Sequence, residues 1–161
     1  GATAPAWGAG AHEDGPDATT SGTAHNFTGI PAGVNHIDIM LNGVSLSGTD
    51  SLLIQIGTGA SPTTTGYVTY STRFSVGLVT PTSGFGIFTA SAAILFSGTI
   101  TLDRVPGTNT WTSTHLINGA SAGLTNGAGI VTLAGPLNNI RLTRDGTDTF
   151  DAGSWSIRAR T

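Results

Sequence analysis

The chain has 161 residues, enough for one domain that buries about 70% of the surface its unfolded form exposes, and its 24 glycines with 41 serines and threonines disfavour helix. It has six arginines, no lysine and a net charge of -3, so it lacks the positive field that nucleic-acid binding requires. Without cysteine it can form neither a disulfide nor a thiolate metal site, and no apolar run approaches the ~18 residues of a membrane span.

Residues 1–20 are rich in glycine, alanine and acidic side chains, and we predict an extended lead-in or linker there. We expect a single folded domain over residues 21–161. Trp7 stands out in the lead-in. We interpret it as an anchor that packs on the domain or on a neighbouring chain, and an exposed ligand platform is the alternative.

Strong strand patterns begin the domain. Residues 35–41 alternate, with Ile37, Ile39 and Leu41 on one face, which is typical of a half-buried strand. Residues 52–56 are apolar on both faces, which indicates a strand covered on both sides, either by the chain itself or by a neighbouring subunit. Between them, Asn42-Gly43 is compatible with a type I′ hairpin turn or with a bulge.

Further strands follow at regular spacing, separated by loops of small residues, of which residues 119–129 are one. The segments 98–105 and 110–117 form the clearest hairpin, joined by the turn residues Pro106 to Asn109. Trp155 lies in the last strand and is expected to be buried. About eight short strands predict an all-β fold, an antiparallel β-sandwich of jelly-roll-like type. The remaining predicted strands are 67–74, 130–133, 137–143 and 153–160, together with core strands within 85–96 that residues 89–93 interrupt.

Two patterns resemble sites, and neither has the context that its chemistry needs. Gly119 to Gly123 satisfies the G-x-S-x-G pattern of a serine nucleophile, but no helix is predicted after it, and every histidine precedes Ser121. Asp145, Asp148 and Asp151 could hold a hard cation, although a polar hairpin turn between strands 137–143 and 153–160 is the favoured interpretation. We therefore predict no catalytic residue, no metal site and no cofactor.

Three blocks of sequence resemble a known family. The strings are FTGIPAGVNHIDIMLNGVSLSGTDSLLIQIGTG, GTITLDRVPGTNTWTSTH and IRLTRDGTDTFDAGSWSIRART. Together they look like the opening, the central hairpin and the closing hairpin of the C-terminal β-sandwich domain of tailed-bacteriophage tail fibres and related virion structural proteins. The lead-in GATAPAWG is similar to the join between a fibre shaft and such a domain.

The resemblance implies a non-enzymatic domain on the virion surface, made in the cytoplasm of a bacterial host, usually a homotrimer that contacts other virion proteins. We expect a tail-fibre tip that binds a host-surface glycan or protein. Aromatic side chains on such a tip could stack on sugar rings, and the candidates are Trp111, Tyr67 and Tyr70, for each of which core packing is the alternative. The alternative function is a head decoration or structural protein that binds only other virion proteins.

Overall fold

The computed structural model describes residues 11–92, 94–120 and 123–161. These residues form an all-β structure of two antiparallel sheets packed as a sandwich, which confirms the predicted fold class, although the strands number twelve and not about eight. Within them no helix is long and apolar enough to cross a membrane. The described strands are twelve: β1 Ala11–Ala18, β2 His25–Thr28, β3 His36–Leu46, β4 Leu52–Gly57, β5 Val68–Arg73, β6 Gly77–Val79, β7 Phe85–Ile87, β8 Phe96–Arg104, β9 Thr110–Asn118, β10 Leu124–Thr132, β11 Asn139–Arg144 and β12 Phe150–Arg160.

The two sheets differ in size. The larger has eight strands in the order β1-β12-β3-β8-β9-β10-β5-β6, and the smaller has four in the order β2-β11-β4-β7. The predicted hairpin at Pro106 to Asn109 is confirmed, because β8 and β9 pair from Ser97↔Asn118 to Arg104↔Trp111. The smaller sheet covers one face of the larger one, and the opposite face of the larger sheet is its outer face.

The core lies between the sheets and is built by strand alternation. Trp155 of β12 is buried, as predicted, and its ring packs against that of Phe27 on β2 with centroids 4.3 Å apart. His25 and Phe150 make a second contact between the sheets, edge to face, at 4.9 Å. These ring pairs join the last strand of the large sheet to the first strand of the small one.

All six residues of β4 are buried, as the apolar pattern on both of its faces predicted. The chain itself supplies cover for the second face. The segment before β7 lies against that face, where Gln55 Nε2 donates to Ser83 O at 2.8 Å, and a Cβ on Gly84 would come within 3.1 Å of Leu53 Cβ. Of the two explanations for this strand, intrachain cover is therefore the one that the structure supports.

The Asn42-Gly43 dipeptide forms a bulge, not a hairpin turn. β3 continues through it to Leu46, and its register with β8 shifts between Leu41 and Val44. Gly43 has a φ of 66° and packs so closely on the facing Gly153 that a Cβ on Gly153 would overlap the Gly43 carbonyl group. The strand keeps its direction because partners on both sides hold it.

Part of the predicted lead-in belongs to the large sheet. β1 pairs with β12 from Ala11↔Arg160 to Ala18↔Ser154, and Glu13 accepts a hydrogen bond from Arg158 Nε. Acidic and glycine-rich composition gave no alternation from which this pairing could be predicted. Trp7 lies outside the described residues.

Two further expectations were wrong. Strands β11 and β12 do not form a closing hairpin, because they lie in different sheets and residues 145–149 cross between those sheets.

The predicted loop 119–129 is largely strand, since β10 begins at Leu124. Glycines occur inside β10 where the space for a side chain is already filled: a Cβ on Gly127 would meet His115 Cε1 and the Tyr70 carbonyl oxygen, each at 2.5 Å, and one on Gly129 would meet the Phe85 ring at 2.8 Å.

Replacing Gly127 with alanine is expected to destabilise the fold by about 1–3 kcal/mol, because the methyl group must displace backbone as well as the His115 ring. Strand propensity alone would make alanine more stabilising than glycine, so a loss of stability in this variant distinguishes close packing from propensity. Chemical denaturation measures it. Asn126→Ala, one position away with an exposed side chain, is the control and should change stability by less than about 0.5 kcal/mol; equal stability of the two variants would contradict close packing around Gly127.

Candidate functional site

Trp111, the first predicted receptor-binding residue, belongs to the core. Only 1% of its surface is exposed. It occupies the second position of β9, paired with Arg104 on β8 and Val131 on β10, and it alternates with outward-facing threonines. The turn beside it is exposed, but the side chain points between the sheets. Trp111 is therefore a packing residue and not a ligand platform in this structure.

Tyr67 is also buried, at 2% exposure, and its hydroxyl group has a structural role. The oxygen accepts the Ile56 N–H at 2.8 Å, and the O–H faces the carbonyl oxygens of Ile56 at 3.2 Å and Thr63 at 3.1 Å. Burial raises the pKa of Tyr67 to about 12, so the phenol keeps its proton as a donor. These bonds fasten the loop after β4 to the core.

Tyr70 is the one predicted residue of the three that reaches the surface, with 58% of its side chain exposed. It lies on the outer face of β5 and borders an open depression of about 240 Å³. The ring faces solvent next to Ala128, its cross-strand partner, whose methyl group leaves room beside it. We call this depression the Tyr70 pocket; it is lined by Tyr67, Val68, Thr69, Tyr70, Thr80 and Thr82.

The Tyr70 pocket is suited to bind an uncharged, flat-faced group. Thr80 and Thr82 are exposed on its rim and carry hydroxyl groups that can donate or accept. Thr82 is held near β5, since its carbonyl oxygen accepts the Tyr67 N–H at 3.3 Å. The pocket residues carry no formal charge. An aromatic ring next to hydroxyl groups can stack on a sugar ring and hydrogen-bond to its hydroxyls.

A second depression, of about 530 Å³, lies on the same outer face where Gly98 lacks a side chain. Threonines line it, and the Thr101 hydroxyl group donates to Asp38 Oδ1 at 3.2 Å. Its lining offers neither an exposed ring nor a charged side chain. It is therefore a weaker candidate than the Tyr70 pocket.

Charged side chains occupy the other half of the outer face, on β1, β12, β3 and β8. Asp38 accepts from Arg160 at 2.9 Å and from His36 Nε2 at 3.2 Å, while His36 Nδ1 lies 2.7 Å from Asp103. Glu13 pairs with Arg158 at 2.5 Å. Because these groups satisfy one another across neighbouring strands, they contribute to the cohesion of the sheet and leave little unpaired charge for a ligand.

The three aspartates that could have held a cation hydrogen-bond to neighbouring segments of the chain, Asp145 and Asp148 from the loop before β12 and Asp151 from β12 itself. Asp145 Oδ1 accepts the Ser51 N–H at 2.8 Å, and Asp148 Oδ2 accepts the Asp50 N–H at 2.8 Å. Asp151 is hydrogen-bonded by the Ser45 hydroxyl group. No cluster of three metal-ligating side chains occurs among the residues that the structure describes.

The G-x-S-x-G segment has no helix behind it. β10 begins just after it, at Leu124, and Gly119 N–H donates to Gly123 O at 2.7 Å. Ser121 lies outside the described residues. Among the described residues on either side of it, the context for a serine nucleophile, a strand followed by a helix, is not present.

No known protein family, no curated protein and no solved structure matches this chain. The candidate site therefore depends on its own geometry.

Alternation along the predicted strand 67–74 puts Tyr70 on the face opposite Tyr67, as the structure has them, but the rest of the outer face was not predicted. Val68, Leu78 and Leu116 are each more than half exposed, although an apolar residue is ordinarily assigned to a core. One signal was present: Arg73 is the only charged residue between Ser51 and Leu102. In a stretch with a single charge, strand alternation places apolar residues on the outer face, because few charged residues are available for those positions.

Tyr67→Phe is expected to cost about 1–3 kcal/mol of stability, because it leaves the buried Ile56 N–H without its acceptor. Tyr70→Phe removes the same atom from an exposed ring and should change stability by less than about 0.5 kcal/mol. Urea denaturation of both variants measures the difference. Equal effects would contradict the assignment of Tyr67 to the core and Tyr70 to the surface.

Stability should fall as the solution is acidified, because of His115. Burial lowers the pKa of this histidine from 6.5 to about 4, and its Nε2 lies 3.1 Å from Ser71 Oγ. The unfolded chain binds the proton more readily, so the contribution of His115 is complete above pH 6.5 and is lost as pH falls towards 4. The loss should reach at most about 3 kcal/mol.

The measurement for this prediction is the free energy of unfolding of wild type and His115→Gln across that pH range. Their difference should change with pH, since glutamine does not titrate and all other groups are shared. A difference that stays constant from pH 7 to pH 4 would show that folding does not lower the pKa of His115.

Proposed function

We propose that this chain is the terminal domain of a bacteriophage tail fibre, a non-enzymatic virion surface protein that binds a host receptor. The three sequence blocks resemble such domains, and the antiparallel β-sandwich agrees with the architecture that the resemblance implies. The observation that carries the receptor role is Tyr70, an exposed ring beside a pocket with hydroxyl groups on its rim. The receptor is a glycan or a protein on the bacterial surface.

Weak single sites suffice for such a role. A shallow pocket of about 240 Å³ with one stacking ring fits a modest affinity for a single sugar. If three copies form a homotrimer at the end of a fibre, their sites act together, and avidity can raise the affinity by about 10²–10⁴-fold. The protein would be made in the host cytoplasm and function outside the cell on the particle.

A head decoration or other structural protein of the particle is the alternative function. It is favoured by a different observation, the exposed apolar side chains on β5, β6, β9 and β10, because apolar surface is suited to lasting contacts between proteins. A decoration domain would bind assembled particles and no host cells. A fibre tip would bind host cells as an isolated domain and compete with infection.

Binding of the labelled protein to a panel of bacterial strains and to an array of bacterial surface glycans tests the proposal. Tyr70→Ala should weaken binding roughly tenfold or more, since loss of a stacking ring is worth about 1 kcal/mol at each site. Tyr70→Phe keeps the ring and should retain most of the binding. The control is Val105→Ala, which changes an exposed apolar residue at the turn between β8 and β9.

Unchanged binding by Tyr70→Ala would exclude the Tyr70 pocket as the receptor site. Binding to purified particles but to no cell or glycan would contradict the fibre-tip function and support the structural alternative.

A further inference from the structure

Exposed apolar side chains are concentrated in one half of the outer face. Ten large apolar residues are exposed among those described, and only Leu95 and Val105 lie outside β5, β6, β9, β10 and the β5–β6 turn. Scattered single residues of this kind are ordinary, whereas a contiguous group marks an interaction surface.

Five of these residues form one strip at the end of the strands away from the Tyr70 pocket. Leu116 pairs with Asn126, Asn126 with Thr72, and Thr72 with Leu78, so a single row crosses four strands. Thr125 pairs with Arg73, so Leu124, one residue before Thr125, lies across from the residues that follow Arg73. These residues form the next row. We call this surface the apolar strip: Phe74, Val76, Leu78, Leu116 and Leu124, exposed by 91%, 52%, 57%, 63% and 56%.

The surroundings of the strip carry almost no charge. Arg73 is the only aspartate, glutamate, lysine or arginine on β5, β6, β9 and β10. The ion pairs of Asp38, Asp103 and Glu13 lie on the other four strands of the sheet. Two such surfaces can approach each other without repulsion between like charges and with little desolvation of charged groups. The strip can therefore pack against the same strip on a second copy of the chain.

The two edges of the large sheet are protected to different degrees. The β1 edge carries the charged residues Glu13 and Asp14 and the proline Pro16, and its register with β12 shifts between Asp14 and Asp17. Edge charges, prolines and bulges all prevent strands from pairing edge to edge. At the other edge, β6 consists of Gly77, Leu78 and Val79, with no charge and no proline. The edge that adjoins the apolar strip is therefore protected only by the shortness of β6.

The size of the strip fits a subunit interface. At about 100 Å² for each exposed aliphatic side chain and about 200 Å² for Phe74, the strip presents roughly 600 Å² of apolar surface. The polar side chains within and beside its rows, Thr72, Asn118 and Asn126, bring the total near the approximately 800 Å² per partner that a stable interface buries. A monosaccharide or a short peptide would leave most of this surface in water.

We propose that copies of this chain associate through the apolar strip, with the β6 edge inside the contact. The occupant of the strip is a second copy of the chain, and in the expected trimer three strips converge on the symmetry axis. This proposal rests on the proposed function for its stoichiometry alone. The Tyr70 pocket lies outside the strip, in the next row along the strands, where Tyr70 pairs with Ala128, so that assembly and receptor binding use neighbouring parts of one face.

Light scattering coupled to size-exclusion chromatography tests the proposal with the whole chain at about 50 µM, a concentration at which interfaces of this size are populated. Wild type should elute with three times the 16.2 kDa mass of one chain. Leu116→Asp and Phe74→Ser should each give the mass of one chain, because a charge or a polar group replaces apolar contact. Both residues are exposed, so both variants should keep the circular dichroism spectrum of the wild type.

Val105→Asp is the matched control, an exposed apolar residue outside the strip that receives the same charge. It should keep the wild-type mass, and so should Tyr70→Ala. A wild-type monomer would overturn the proposal, as would strip variants that keep the wild-type mass. A dimer that depends on the strip would support association through this surface and contradict only the trimer.

Failure of the interface and failure of the proposed function are distinguishable. Strip variants that remain assembled, in a protein that adsorbs to cells through Tyr70, would overturn the interface and leave the receptor role intact. Strip-dependent assembly without binding to any cell or glycan would support the interface and contradict the receptor role.

Discussion

The structure depends on packing between two sheets of unequal size. The rings of Trp155 and Phe27 join the large sheet to the small one, and alternation along the strands of the large sheet sends every second side chain into this contact. The same alternation forces the intervening side chains onto the outer face of the large sheet. What the protein can bind is therefore decided largely by which residues alternate outward, and these differ between the two halves of that face.

In one half the outward residues are charged and satisfy one another, as Asp38 does with Arg160. In the other half they are apolar or carry hydroxyl groups, and none of the residues that the structure describes covers Phe74 or Leu116. A sheet face of this kind is stable in water when a partner covers its apolar part. The proposed assembly through the apolar strip and the proposed receptor binding at the Tyr70 pocket would together give each part of this uncharged half a role. Both roles require shape and surface chemistry, and neither requires a nucleophile or a metal.

The sequence predicted those features that alternation or turn residues encode locally. The sandwich class, the burial of Trp155 and the hairpin at Pro106 to Asn109 all follow from such patterns. Pairing of β1 with β12 and the passage from β11 to β12 between sheets depend on contacts distant in sequence, which composition does not reveal. The first part of β10 was missed, although residues 130–133 were predicted as strand, because its glycines pack closely against the His115 and Phe85 rings and give no strand pattern of their own. Trp111 was placed at a binding site because it adjoins a turn, whereas its position in the alternation sends it inward.

Hydroxyl-radical footprinting with mass spectrometry tests the central claim most directly, since it reports which side chains water reaches. Tyr70 should be oxidised readily, and Tyr67, Trp111 and Trp155 should be protected at every concentration. Phe74 should become protected as the protein concentration rises, while Val105 should not change. Oxidation of Trp111 as fast as that of Tyr70, or oxidation of Phe74 that is independent of concentration, would contradict the roles assigned to this face.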